Sequence, residues 1–261
     1  MTTTNPAAPA APLAPPDPAR IAKTVATKLP FRGDVTGLTP LAGDASNRRY
    51  FRVALKGKPS ALILMQLADP EGFKKSEEAV SGASVQIAEL PFTNVLAHLQ
   101  RTGVTVPQLH YYDREAGLLY LEDFGDLTLA EACRDADRAR LVSLYRQAID
   151  QLVLLQVKGT QPPAPGCIAF HRGFDVPLLM WEFDHFLEYG IVARLGQPMK
   201  PADDKAVRAE FQRIAELLAG QPQVFVHRDY HSRNLMVDGS RIGVIDFQDA
   251  LMGPATYDLA S

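Results

Sequence analysis

Three polar residues near the end of the chain, Asp229, Asn234 and Asp246, have the types and spacing to do chemistry. They lie in residues 224–249, VFVHRDYHSRNLMVDGSRIGVIDFQD. Moving a γ-phosphoryl group requires a carboxylate that orients the attacking hydroxyl and accepts its proton, together with oxygen ligands that hold magnesium against the phosphates. Asp229 suits the first role. Asn234 and Asp246 suit the second, because magnesium prefers hard oxygen ligands and keeps much of its own water. Only a hairpin brings these three together. The apolar run 224–226 delivers His227-Arg228-Asp229, and Leu235-Met236-Val237, a turn at Asp238-Gly239-Ser240 and the apolar run 242–245 then return the chain at Asp246. Each piece alone is weak, since an Asp after an apolar strand is commonly a turn residue or helix cap. The combination points to phosphoryl transfer.

HRDYHSRN followed by VIDFQDALMGPATYDLAS resembles the aminoglycoside phosphotransferase and choline kinase superfamily, small-molecule relatives of the protein kinases. The wording HRDYxxRNLM with DFQDAxxGPxTYDLAS is closer still to the cytoplasmic sugar kinases that phosphorylate the anomeric hydroxyl of N-acetylmuramate and N-acetylglucosamine in cell-wall recycling. The resemblance covers residues 37–261 and implies an α+β, bilobal, protein-kinase-like fold. In that fold the N-terminal lobe has an antiparallel sheet plus one helix, and the C-terminal lobe is mainly helical with the catalytic hairpin. The cofactors implied are ATP and Mg2+. Asp229 would be the catalytic base, with Arg233 beside it, and Asn234 and Asp246 would be the magnesium ligands. His227 would pack beneath the catalytic loop. His231, Gln248 and Asp249 are assigned to the acceptor side, although His231, Arg233 and Gln248 each serve equally well as structural hydrogen-bonding partners.

The composition fits such a protein. At 261 residues the chain can bury a substantial core, and 46% hydrophobic with 22% charged residues describes a globular protein. A net charge of -3 shows no bulk preference for nucleic acid. Cys133 and Cys167 have no metal-site spacing and fit a reducing cytosol. No run approaches a membrane span. A cytoplasmic monomer acting on a small sugar, without nucleic acid or membrane, is the expectation.

The elements that must position these residues follow in order. Residues 1–20 read as a disordered Ala/Pro tail, 21–122 as the nucleotide-binding lobe, and 123–261 as the catalytic and acceptor-binding lobe. Residues 21–29 predict a short helix. LTPLAG, RRYFRVAL and SALILMQL predict three antiparallel strands. The turn at residues 43–47 falls where the superfamily lays a loop over the ATP phosphates, so Asp44, Ser46, Arg48 and Arg49 are candidate cofactor contacts. The third strand carries Met65 and Gln66 where many relatives carry a phosphate-binding lysine; Arg49 or Arg52 on the neighbouring strand is the candidate replacement. Residues 67–90 predict a polar connection. Phe92, Val95, Leu96 and Leu99 predict an amphipathic helix over 91–102 ending at Gly103.

Two more strands, VTVPQLHYY and GLLYLEDFG, lead into the linker where relatives bind adenine, which makes Tyr120 and Glu122 candidate cofactor residues. Helices are predicted from residue 129, over 138–157 with Leu141, Leu144, Tyr145, Ala148, Leu152 and Leu155 on one face, and over 203–219. Within 171–190, Trp181, Phe183, Phe186 and Tyr189 read as core and rim of a helical bundle. Alternatively Glu182, Asp184 and Glu188 line an acceptor pocket, which makes Glu182 a substrate-binding candidate. Relatives continue beyond the YDLAS stretch, so truncation at Ser261 is expected to leave Tyr257 and Leu259 exposed. Two other functions stay open: an aminoglycoside, choline or homoserine-type phosphotransferase, and a nucleotide-binding pseudokinase.

Overall fold

The computed structural model of the chain describes residues 14–41, 48–67 and 89–261. The expected phosphate-covering turn with Asp44 and Ser46, and nearly all of the polar connection, lie outside the described residues. Contacts divide the chain into two compact units, Met1–Phe73 with Gln108–Asp123, and Lys74–Pro107 with Phe124–Ser261.

The first unit opens with helix α1, Pro18–Thr27. Asp17 caps it by accepting the Ala19 N–H at 2.9 Å, and proline occupies the first turn, where its missing N–H costs nothing. The helix therefore begins inside the stretch assigned to the tail. Strands β1 (Asp34–Pro40), β2 (Arg48–Lys56), β3 (Ala61–Leu67), β4 (Leu109–Asp113) and β5 (Leu118–Leu121) form one antiparallel sheet in the order β1-β2-β3-β5-β4.

Strand alternation gives this sheet two different faces. Phe51, Val53, Leu55, Leu62, Leu64, Leu118 and Tyr120 pack with Ile21, Val25 and Leu29 into one core beneath α1. Tyr50, Arg52, Ile63, Met65, Leu119 and Leu121 alternate with these and lie on the opposite face. Gln66 follows the α1 side, and its amide donates to the Ala14 carbonyl at 3.0 Å.

The second unit begins with helix α2, Pro91–Thr102, ended by Gly103 at φ +83, a conformation that favours glycine. The division at residue 122 placed this helix with the sheet, but its contacts are in the second unit. Phe92 stacks on Phe247 at 5.1 Å, His98 bonds the Gly159 carbonyl, and Asn94 bonds both the Gly166 carbonyl and the Ile168 N–H. Buried polar groups need partners, and these were found outside the sheet.

Helix α3 (Leu129–Arg134) is closed by a capping box between Thr128 and Glu131. Helix α4 (Arg138–Val153) continues into a π-helical turn, Leu154–Lys158, and buries Leu144, Ala148, Leu152 and Leu155. Leu141 and Tyr145, expected on the same face, are 36% and 48% exposed. Helix α5 (Val176–His185) is capped by Asp175 and followed by a π-helical turn, Phe186–Val192. Its aromatic residues divide: Phe183 stacks on Phe211 of helix α6 (Pro201–Ala219), whereas Trp181, Phe186 and Tyr189 are exposed.

Two short antiparallel pairs complete the unit. Strand β6 (Gln223–Val226) pairs with β9 (Leu251–Pro254), and β7 (Leu235–Asp238) with β8 (Arg241–Val244). The second pair is the expected hairpin, with Gly239 at φ +60 in its turn. The first pair was not anticipated, because LMGP carries a glycine and a proline and shows no strand alternation. Helix α7, Thr256–Ala260, ends the chain. Its Leu259 is exposed and its Tyr257 half-buried, stacked on Phe174 at 4.3 Å.

Candidate active site

Strand β6 is anchored by β9 on one edge and delivers His227, which is completely buried. Its Nδ1 accepts the Asp229 N–H at 3.2 Å, and its other nitrogen, Nε2, lies 2.9 Å from the Ile245 carbonyl. A nitrogen that accepts cannot also carry a proton, so the imidazole is the neutral Nε2–H form donating to Ile245. Burial pushes its pKa down and holds it neutral. His227 thus joins the Asp229 loop to the end of the hairpin.

Three further bonds tie Asn234 to Asp229, to His231 and to the residue before Asp246. The Asn234 amide donates to the Asp229 carbonyl at 3.0 Å, the Asn234 N–H to the His231 carbonyl at 2.9 Å, and the Ile245 N–H to the Asn234 carbonyl at 3.0 Å. Asp229 and Asp246 are exposed, and Asn234 is half-buried. With its NH2 engaged, Asn234 turns its amide oxygen away from the Asp229 carbonyl. The trio thus offers two carboxylates and one amide oxygen, the hard donors magnesium takes while keeping water and phosphate in its other positions. Among the described residues no group of three or more His, Cys, Asp or Glu is gathered for a metal.

Two residues of this site hold the left-handed conformation that side chains rarely adopt, Arg228 at φ +80 and Asp246 at φ +65. Such a backbone persists only where its surroundings over-determine it. At Arg228 the cause is Asp258 on α7, whose carboxylate accepts the N–H groups of both His227 (2.8 Å) and Arg228 (3.0 Å). Asp258 is 2% exposed, and burial pushes its pKa up to about 6 against the pull of those two bonds. The Arg228 guanidinium donates to Glu182 at 2.8 Å and lies 5.8 Å from the centre of the Phe174 ring. Tyr230 donates to the Ala148 carbonyl at 2.7 Å and ties the loop to α4.

The remaining candidates separate by environment. Glu182 is in the site through its pairing with Arg228. Gln248 is buried and donates to Asp246 (2.9 Å) and Asp249 (3.0 Å). His231 is half-buried with Nδ1 unpartnered among the described residues, and Arg233 is exposed. In the first unit, Arg48 is buried on the Met65 face of the sheet, opposite Leu67, whereas Arg49 follows the α1 face, 5.1 Å from the Phe51 ring centre. Arg52 is held by both oxygens of Asp123, at 2.7 and 3.1 Å. The Tyr120 ring lies in the core under α1, and Glu122 exchanges two bonds with Gln108: its N–H donates to the Gln108 carbonyl and its carboxylate accepts the Gln108 N–H.

The sequence reading missed Asp258 and the Arg228–Glu182 pair. Asp258 sits in the quoted YDLAS stretch, yet its partners lie 31 and 30 residues earlier and nothing local signals them. An Asp in the first turn of a short helix is ordinarily no more than a favourable charge at the helix N-terminus.

Residues 37–261 match the APH family, described as the phosphotransferase enzyme family. The N-acetylmuramate/N-acetylglucosamine kinase of Pseudomonas putida is 34% identical over 226 residues, 85% of this chain and 58% of that protein. The kinase of the same name from Neisseria meningitidis is 30% identical over 225 residues, 86% of this chain and 60% of that protein. The chain thus spans about three fifths of the length of the curated relatives it matches. Among solved structures, a choline/ethanolamine kinase family protein from Mesorhizobium loti matches with a TM-score of 0.54, 16% identity and coverage of 92% of this chain and 68% of that one. The aminoglycoside phosphotransferase APH(4)-Ia, as a thermostable mutant in complex with ADP and hygromycin B, gives 0.55, 16% identity and coverage of 92% and 75%. These two share the α+β, protein-kinase-like fold. By the match over residues 37–261, the chain belongs to the APH phosphotransferase family.

Proposed function

We propose that this chain is the catalytic part of an ATP-dependent sugar kinase that phosphorylates the anomeric hydroxyl of N-acetylmuramate or N-acetylglucosamine. The observation that carries the reading is that hydrogen bonds from Asn234 to Asp229 and from Ile245, beside Asp246, to Asn234 tie the three residues' loops together, in a chain whose curated relatives, at 30% to 34% identity, bear that substrate name.

Each residue has a defined task. Asp229, exposed and held by the His227 side chain through its own N–H, accepts the acceptor hydroxyl's proton as the oxygen attacks the γ-phosphorus. Asn234 and Asp246 would hold magnesium, which when bound neutralises charge on the β- and γ-phosphates. Asp258, His227 and Tyr230 fix the loop beforehand, so that little reorganisation is left for the reacting complex. Arg48, on the sheet face that carries Met65 in place of a lysine, is the guanidinium assigned to the nucleotide phosphates. Glu182 is assigned to sugar hydroxyls. The setting proposed is the cytoplasm, where ATP is available; among the described residues no helix is long and apolar enough to cross a membrane.

The test is phosphorus NMR of protein incubated with Mg-ATP and, separately, N-acetylmuramate, N-acetylglucosamine, kanamycin and choline, with Asp229→Asn as blank. A new anomeric sugar-phosphate resonance absent from the blank supports the reading. A product formed only from kanamycin or choline replaces the acceptor assignment, and binding of ATP without any product refutes the kinase reading for this chain.

A further inference from the structure

Gln248 lies between two carboxylates that would repel each other. Its side chain is 3% exposed, and its single NH2 group spends one proton on Asp246 Oδ1 at 2.9 Å and the other on Asp249 Oδ2 at 3.0 Å. Because both acceptors are carboxylate oxygens, the amide has one workable orientation, with Nε2 toward them and Oε1 away. Two acceptors of this pair then remain: Gln248 Oε1 and Asp249 Oδ1 are both buried without a hydrogen-bond partner among the described residues. Buried acceptors left in this state are costly, and such a group calls for a donor or cation that completes it. The backbone at Asp246, at φ +65, is already confined.

We propose that Gln248 is a positioning residue of the divalent-cation site. It aligns Asp246 and Asp249 as one carboxylate pair facing the cation and its phosphates, and it must be an amide to do so. The inference rests on the phosphotransferase reading above and reassigns Gln248 and Asp249 from the acceptor to the cation. A carboxylate at position 248 would remove both donors and place a third negative group among the first two. An apolar side chain of equal length would remove both of these hydrogen bonds.

The test uses Mn2+ as the probe, its uptake followed by loss of the free-ion electron paramagnetic resonance signal in the presence of ADP. Wild type, Gln248→Met and Gln248→Glu are compared, and the melting temperature of each is recorded in EDTA and in excess Mn2+. Gln248→Met is expected to keep its fold and to bind Mn2+ about tenfold more weakly, the scale on which partners of metal ligands act, with metal-free ADP binding unchanged. Gln248→Glu is expected to melt below wild type in EDTA and to gain more than wild type on adding Mn2+, because the cation relieves the added repulsion. Wild-type Mn2+ affinity in a folded Gln248→Met protein overturns the proposal. Should Gln248→Met fail to fold, a Gln248→Glu protein with the same Mn2+-induced gain as wild type overturns it. Wild type that takes up no Mn2+ with ADP sinks the phosphotransferase reading itself, whereas wild-type uptake with unaltered variants sinks the Gln248 role alone.

Discussion

Asp258 accepts the backbone N–H of Arg228 at 3.0 Å across thirty residues of sequence, and Arg228 is one of two non-glycine residues described with a positive φ. The short helix α7 thereby holds the loop that carries Asp229 in a conformation it would not choose alone. Removing this acceptor should therefore damage catalysis more than stability. Asp258→Asn keeps one acceptor oxygen but points an NH2 group at a backbone donor. Turnover should fall by about 10²-fold, as when a catalytic group loses its placement, while the protein still melts cooperatively; steady-state kinetics beside a thermal melt check both.

The same residue sets a pH dependence. Its folded pKa is raised from 3.8 to about 6, mainly by burial. The folded state therefore binds this proton more tightly than the unfolded chain does. The stability linked to it is fully present below the unfolded pKa and is lost as pH rises from about 4 to about 6, to the extent of roughly 3 kcal/mol. Activity should move the opposite way, because the ionised carboxylate is the form with acceptors for both N–H groups. Urea melts across pH 4 to 7 on wild type and Asp258→Asn should show this slope in the first and not in the second.

Asp229→Asn should lower turnover by about 10³-fold, the scale of a lost general base, with nucleotide affinity retained. Asp246→Ala should instead abolish the magnesium dependence of nucleotide binding. Titration calorimetry of ADP with and without Mg2+ on the two variants separates the roles, and retained turnover in Asp229→Asn would refute the base assignment.

The alternation of β2 distinguishes two adjacent arginines. Arg48→Ala should raise the KM for ATP by about tenfold, the worth of a hydrogen bond to a charged group. Arg49→Ala, on the face under α1, should leave that KM unchanged. Equal effects from both would undo the assignment of Arg48 to the phosphates.

Gly243 on β8 lies against Phe124, and a methyl group added there would overlap the ring. Gly243→Ala should cost about 1 to 3 kcal/mol of stability, as overpacking in a tight core does, read as a drop in the denaturation midpoint. No loss would mean that the Phe124 ring is free to move aside.

The sequence by itself determined the family and the local elements. HRD, the asparagine five residues on and the Ile-Asp-Phe triplet mark the candidate groups and the family without coordinates, and the Asp238-Gly239-Ser240 turn places their hairpin. Helix 91–102 was legible to its last residue, because its apolar spacing and Gly103 are signals carried within one or two turns of chain. What tertiary structure alone decided is everything that joins distant segments. Only the fold pairs LMGP with β6, binds Asp258 to the His227–Arg228 backbone and Glu182 to the Arg228 side chain, and moves α2 into the contacts of the second unit. It also divided residues that looked equivalent, turning Arg48 toward the Met65 face and Arg49 toward α1, and leaving Leu141 and Tyr145 exposed beside the buried Leu144. Periodicity reports which residues share a face, whereas what covers that face depends on contacts between segments that carry no mark of one another in the chain.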